Sequence, residues 1–299
     1  MGRDLQFWVD TRSSDTASKT GFEYGLLGGT FLREYIVEID FPRERVRFLN
    51  PERFRLPEQA TKENEAVLPI KVVGNRLVAE VSIGGKATQV MIDTGAPDTG
   101  VLSGSTARGV GISSSPLPGL RTGSVLGPVD IEFTEAAVLR LGPFELFHVP
   151  LMVAPKGFYN LGSSTDSLIG YDILSQFTMR IDYSRQRLWL RRRPDAEVTY
   201  LGVPYAPQRE AGLLVFPRDR GLEVIGLFPD SAAAHLGILP GDVLLFPDGV
   251  KTPDFVAKTL GAVATGARVS VLRTSNGASV EMSLPPSASD SSPGASGSN

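Results

Sequence analysis

Short runs of alternating apolar and polar residues, punctuated by glycine and proline, dominate the middle of the chain. Val67-Leu68-Pro69-Ile70-Lys71-Val72-Val73 and Leu77-Val78-Ala79-Glu80-Val81-Ser82-Ile83 flank the turn residues Gly74-Asn75. That arrangement predicts a hairpin of half-buried strands, because a period of two puts one face on a core and the other in water. Gly84-Gly85 turns the chain toward another apolar strand ending Val90-Met91-Ile92, and Val138 to Leu141 and Val149 to Val153 predict further strands. Strands this short at hairpin spacing predict a mainly β fold closed into a barrel.

The strand through Ile92 delivers one carboxylate into a tight turn, Asp93-Thr94-Gly95-Ala96. An acid is costly inside a core strand, so Asp93 is expected at the strand's mouth. Thr94 adds a hydroxyl that can donate and accept, and Gly95 permits an approach that a Cβ would obstruct. Further along, Leu168-Ile169-Gly170-Tyr171-Asp172-Ile173-Leu174 is followed by Phe177, Ile181-Asp182-Tyr183 and Leu188-Trp189-Leu190. An apolar strand closing on Asp-Thr-Gly-Ala, then Ile-Gly-x-Asp-x-Leu, a phenylalanine and an Ile-Asp-Tyr strand, resembles the retropepsin-like aspartic peptidases. The resemblance covers residues 66–192 as one acid-protease β-barrel lobe.

That resemblance implies an aspartic endopeptidase acting on polypeptide, with Asp93, Thr94 and Gly95 as the catalytic turn and no cofactor or metal. Two carboxylates within hydrogen-bonding distance cannot both ionise easily, and aspartic proteases are the standard illustration of the rule. The ionised member takes a proton from water while the protonated one polarises the scissile carbonyl. Thr94 in such enzymes hydrogen-bonds across the interface between lobes, and Gly95 and Ala96 leave room for substrate. A flap hairpin lies between the two motifs in that family. Arg121 to Ile131 is the candidate, with substrate-facing Gly123, Val125, Leu126 and Gly127 at its tip. Asp172 is implied to be structural, capping a helix that begins near Ile173.

Residues 1–50 acquire meaning when the chain is laid on itself. With Leu26 on Leu168, the segment Leu26 to Leu32 matches Leu168 to Leu174 without a gap. The register continues with Tyr35 on Phe177, Ile39-Asp40-Phe41 on Ile181-Asp182-Tyr183, and Arg43 and Arg45 on Arg185 and Arg187. An ungapped match of this kind is an internal repeat, so residues 1–50 are expected to be the C-terminal half of a preceding similar lobe. The same shift carries Asp93 ahead of Met1, so the turn at Asp93 has no repeat counterpart in the sequence. The second carboxylate is therefore expected from a homodimer or from an N-terminal lobe missing here; the alternative is a catalytically inactive or truncated peptidase fold. Residues 51–65, charged and bounded by prolines, read as a linker.

A different composition begins after Arg191-Arg192-Arg193-Pro194. Gly212-Leu213-Leu214-Val215 and Leu222-Glu223-Val224-Ile225 lead into Asp230-Ser231-Ala232-Ala233-Ala234-His235-Leu236-Gly237, then Pro240-Gly241-Asp242-Val243-Leu244. Ser231 is placed to cap a short helix that Gly237 ends. Over residues 200–284 this order resembles a PDZ domain of the protease-associated bacterial type. The resemblance implies a groove that takes a peptide C-terminus or an internal strand, lined by Gly212, Leu213 and Leu214 after a loop at Glu210 to Leu213, and by Val256 and Leu260 of a helix. In the alternative reading this groove is the working part of a binding protein. The tail 285–299 is too polar to bury anything and is expected to be disordered.

Composition narrows the partners further. The net charge of −3 over 299 residues and the lack of long basic runs do not favour nucleic acid. There are no cysteines, so disulfide and thiol chemistry are excluded. His148 and His235 lie far apart without metal-ligand spacing, so no metal site is expected. No apolar run approaches a membrane span. Localisation is not legible; export is favoured weakly, if a leader precedes a missing front.

Overall fold

The computed structural model describes residues 27–124, 127–155, 166–246, 253–275 and 278–284. The expectations for residues 1–26, for Val125 and Leu126 at the hairpin tip and for the tail 285–299 lie outside the described residues. The chain divides into two units, residues 1–79 with 177–192 and residues 80–176 with 193–299. Both are built mainly from β-strands. Among the described residues no helix is long and apolar enough to cross a membrane.

The first unit begins with α1 (Gly29–Leu32), β1 (Ile36–Asp40) and β2 (Arg45–Leu49), continues with β3 (Glu65–Val73) and the start of β4 (Arg76–Ile83), and is completed by β11 (Phe177–Asp182) and β12 (Arg187–Arg192). The sheet runs β2-β1-β11-β12-β3, antiparallel at every junction, and β3 and β4 form the hairpin expected around Gly74-Asn75. The internal repeat explains the pairing. β1 and β11 are repeat equivalents, and they lie side by side with Glu38 directly opposite Arg180, its own equivalent. A local two-fold axis therefore passes between these residues, and it carries opposite charges. Arg180 Nε donates to Glu38 Oε2 at 2.6 Å and Arg47 Nε donates to Oε1 at 2.7 Å. Glu38 is only 3% exposed. Burial alone would raise its pKa; the hydrogen bonds from Arg180 and Arg47 overcome that and hold the carboxyl below its usual value.

The symmetry extends to the turns. Arg43 pairs with Asp40 at 2.7 Å and Arg185 pairs with Asp182 at 2.8 Å, so both copies of the repeat close their hairpins with the same ion pair. Trp189 is buried with Ile36 and with Leu56 from the connecting segment, and Arg180 lies over the Trp189 ring at 4.5 Å. The symmetry breaks at the edges. β12 pairs with β3, whereas β2, with Val46 and Phe48 exposed, ends the sheet among the described residues.

In the second unit the rest of β4 leads to β5 (Lys86–Ile92), β6 (Gly100–Ser103), α2 (Gly104–Val110), β7 (Ser115–Ser124), β8 (Gly127–Leu141), β9 (Phe144–Ala154), β10 (Leu168–Ile169) and α3 (Tyr171–Leu174). The order β5-β10-β6-β9-β8-β7, with β4 returning to β8 through Ser82 opposite Arg140, closes the barrel. Alternation in the sequence places Leu139, Leu141, Leu146 and Leu151 fully inside. The aperiodic stretch after Asp93 yields α2, which the sequence pattern does not announce: the Ser103 hydroxyl caps it by accepting from Thr106 N–H at 3.1 Å, and Gly111 stops it at φ +78°. β7 and β8 are the arms of the hairpin expected between Arg121 and Ile131; Arg121 faces Asp130 and Gly123 faces Pro128.

The same unit continues with β13 (Thr199–Tyr200), β14 (Val203–Pro204), α4 (Tyr205–Ala211), β15 (Leu213–Pro217), β16 (Gly221–Leu227), α5 (Ala232–His235), β17 (Val243–Leu245), α6 (Pro253–Ala264), β18 (Val269–Ser275) and β19 (Ala278–Leu284). A five-stranded sheet in the order β15-β16-β17-β18-β19 packs with α6 around Leu213, Val215, Leu222, Leu244, Leu260 and Val271. Ser231 caps α5 through Ala234 N–H at 3.2 Å, and Gly237 follows it at φ +76°. One expectation is corrected. Glu210 to Leu213 is not an open loop: residues 205–211 form a helix, and Gly212 ends it at φ +77°, where a Cβ would collide with Ser231.

Candidate active site

β5 is apolar through Val90 and Ile92, both buried, and then releases the chain into the turn at Asp93. Asp93 is half-buried and Thr94 and Gly95 are exposed, so the acid sits at the mouth of the barrel where the cost of burying a charge suggests it should. The turn ties itself together: Gly95 N–H donates to Asp93 Oδ1 at 2.9 Å, and Ala96 N–H donates to the Asp93 carbonyl at 3.3 Å. The Thr94 hydroxyl has no partner among the described residues.

The second motif locks onto this turn. β10 lies between β5 and β6, with Leu168 beside Met91 and Ile169 beside Ile92 in parallel register. Asp93 N–H donates to the Ile169 carbonyl at 3.0 Å, Tyr171 N–H to the Ala96 carbonyl at 2.8 Å and Gly170 N–H to the Thr99 carbonyl at 2.9 Å. A side chain at Gly170 would collide with the carbonyl of Asp98 and lie 2.8 Å from that of Ala96, which is why glycine is required there. Thr99, fully buried, donates to the Pro150 carbonyl and fixes the far end of the turn to β9.

Asp172 has a different role from the helix cap that the sequence suggested. The N-cap of α3 is Gly170 and makes no side-chain bond; Asp172 lies inside the first turn. Its carboxylate is 1% exposed and gathers three donors from the segment leading into the C-terminal sheet. Thr199 Oγ1 and Gly202 N–H reach Oδ1 at 2.7 and 3.0 Å, and Leu201 N–H reaches Oδ2 at 2.6 Å. Burial raises its pKa in spite of these bonds.

The residue that sequence reasoning passed over is Asp98. It is 6% exposed and its Oδ1 has no hydrogen-bond partner among the described residues. Burial first, then the nearby charges of Asp172 and Asp93, push its pKa up to about 7. The signal that could have drawn attention to it is that Asp98-Thr99-Gly100 repeats Asp93-Thr94-Gly95 five residues on. An acid whose native pKa lies above its unfolded value of ~3.9 costs no stability below that value and progressively more as pH rises to the native pKa. The full penalty is about 4 kcal/mol from the shift of roughly three units. The Asp98→Asn variant should therefore gain stability relative to the wild type between pH 4.5 and 8, read as the difference of urea midpoints. A difference that is the same at both pH values would mean that Asp98 ionises freely in the folded protein.

The remaining candidates divide into two groups. Leu117 and Leu120 of β7 share a buried cluster with Leu168, against which Met91 and Ala96 pack, so the base of the β7–β8 hairpin is built into the neighbourhood of the Asp93 turn. Gly123 and Gly127 lie in its arms, while Val125 and Leu126 fall outside the described residues. Leu213 and Leu214 of β15 and Leu260 of α6 are fully buried, and Val256 of α6 is partly buried against the core that holds Leu213 and Leu260. α4 packs against both β15 and α6. Among the described residues no three metal-ligating side chains cluster.

Residues 79–173 match the family model described as Aspartyl protease, which takes in both Asp93 and the Leu168 to Ile173 motif. No curated protein matches the chain. Solved structures similar to it include a retropepsin-like aspartic protease from Rickettsia conorii, with 18% identity, 45% of this chain and 96% of that one covered, and a TM-score of 0.34. The EIAV protease complexed with the inhibitor HBY-793 has 23% identity over 35% of this chain and 89% of its own, at a TM-score of 0.28. Basic 7S globulin from soybean has 13% identity over 64% of this chain and 56% of its own, also at 0.28.

Proposed function

We propose that the chain is an aspartic endopeptidase in which Asp93 is one of two working carboxylates, followed by a PDZ-like module that recognises peptide. The observation that carries this is the interlock between the Asp93 turn and Leu168 to Gly170: the acid is held by Gly95 and by the Ile169 carbonyl at the barrel mouth, not displayed on an outer loop. The match of residues 79–173 to the aspartyl protease model supports the same class. With a second carboxyl group opposite, one acid keeps a proton and the other accepts one from water, which then attacks the peptide carbonyl.

The internal repeat bears on where that second group comes from. In a homodimer a second copy would pair with the outer edge of β11, but β1 already fills it. β12 passes its own outer edge to β3, and by repeat symmetry the free edge of β2 is the place for the corresponding strand of another half-lobe. The second acid is accordingly assigned to such a half-lobe. Both Asp-Thr-Gly tripeptides of the sequence, at residues 93–95 and 98–100, fall within one turn, which favours a second reading, a peptide-binding protein whose barrel no longer cuts.

An unfolded protein substrate at pH 3 to 6 separates the two. Cleavage is expected, with a rate first-order in enzyme if the acids belong to one particle and second-order if two chains must meet. Absence of new peptide termini at every pH and concentration would leave only the binding reading.

A further inference from the structure

β15 is the edge strand of the C-terminal sheet, and its outward side is where an extended peptide would add a further strand. That side is already occupied. Val215 N–H donates to Gln208 Oε1 at 3.0 Å, and Gln208 is fully buried. Its Nε2 is spread over the carbonyls of Val203, Pro204 and Tyr200 at 3.0, 3.3 and 3.4 Å. Helix α4 thus uses one side chain to satisfy the strand edge, and it packs against α6 on the opposite wall.

The other face of α4 reaches the barrel. Tyr205 Oη donates to Glu135 Oε2 of β8 at 3.0 Å, and Arg209 Nε lies 3.0 Å from the same oxygen. His148 Nδ1 sits 2.8 Å from Glu135 Oε1. α4 itself has seven residues, starts at Pro204 and has no side-chain N-cap. A helix of that length does not persist without tertiary contacts, so these bonds hold it in place.

We propose that α4 is a latch with two ends: Gln208 seals the peptide-pairing edge of β15, while Tyr205 and Arg209 bind Glu135 in the part of β8 that pairs with β9. An extended polypeptide segment that pairs with β15 displaces α4 and breaks its bonds to Glu135. The proposal rests on the C-terminal sheet being a peptide-recognition module. Occupation of that module and release of α4 from Glu135 are then one equilibrium, and by linkage whatever loosens α4 from Glu135 must favour peptide at β15.

The test uses the full chain carrying Asp93→Asn, so that the probe is not consumed. The probe is a soluble ten-residue peptide of alternating valine and lysine, and the readouts are its binding and the amide hydrogen exchange of Val215 and of α4. Tyr205→Phe with Arg209→Gln removes only the Glu135 end and leaves β15 untouched. This double variant should exchange the Val215 amide about tenfold faster and bind the peptide about tenfold tighter, since two hydrogen bonds, one of them charged, no longer oppose release. Peptide added to the parent should in turn accelerate exchange in α4. Peptide binding that is equal in parent and double variant, with Val215 equally protected in both, would overturn the latch alone. No binding to either protein would remove the peptide-module reading and the latch with it.

Discussion

Asp93→Asn is expected to lower peptide hydrolysis by about 10²- to 10⁴-fold at every pH while leaving thermal stability nearly unchanged. Asparagine is close in shape to aspartate and keeps an Oδ1 that accepts from Gly95 N–H, the one hydrogen bond that the Asp93 side chain makes among the described residues. Asp93 is half-buried at the barrel mouth, so the substitution neither opens a cavity nor strands a charge, and a stability change beyond about 0.5 kcal/mol is not expected. What asparagine lacks is a site that accepts a proton at acid pH. The paired measurement is a progress curve on an unfolded substrate and a melting curve on the same preparation. Rates that coincide in the two proteins would remove Asp93 from the chemistry, and a collapsed melting temperature would reassign it to structure.

Asp172→Asn should have the largest effect on stability, about 2 to 4 kcal/mol, because a fully buried amide would face three donors with only one accepting oxygen. In the native protein Oδ1 serves Thr199 and Gly202 and Oδ2 serves Leu201. Whichever way the amide turns, its NH2 group points at a backbone N–H, leaving that donor buried and unmatched. Thr199→Val removes a single donor and should cost only about 1 kcal/mol. Urea midpoints give the two numbers, and amide exchange at Leu201 and Gly202 should rise selectively in Asp172→Asn. A midpoint equal to wild type would mean that the segment entering the C-terminal sheet is held by something other than this carboxylate.

Much of the barrel was legible because its signals are local and periodic. The β3–β4 hairpin follows from alternation about Gly74-Asn75, and the repeat announced β1 and β2 as counterparts of β11 and β12 before their mutual pairing was visible. The position of Asp93 followed from the cost of burying an acid. What escaped was set by partners distant in sequence. The three donors to Asp172 arrive from residues 199–202, so nothing around position 172 distinguishes a cap from an anchor. Asp98 opens a second Asp-Thr-Gly, but nothing near it in sequence shows that the packing of Gly170 and Asp172 encloses it. Helix α4 was hidden for another reason: Pro-Tyr-Ala-Pro-Gln-Arg-Glu-Ala has weak local preference and becomes helical through Gln208, which reaches β15, and Tyr205 and Arg209, which both reach Glu135 of β8.

The Glu38–Arg180 pair makes the two halves of the repeat a lock with unlike faces. If two identical copies of β11 met about the same axis, arginine would confront arginine, and two copies of β1 would bring carboxylate against carboxylate, each left with Arg47 as its one guanidinium. Like charges across that axis disfavour the pairing of either half with its own image, and unlike charges favour the pairing of β1 with β11 that the fold contains.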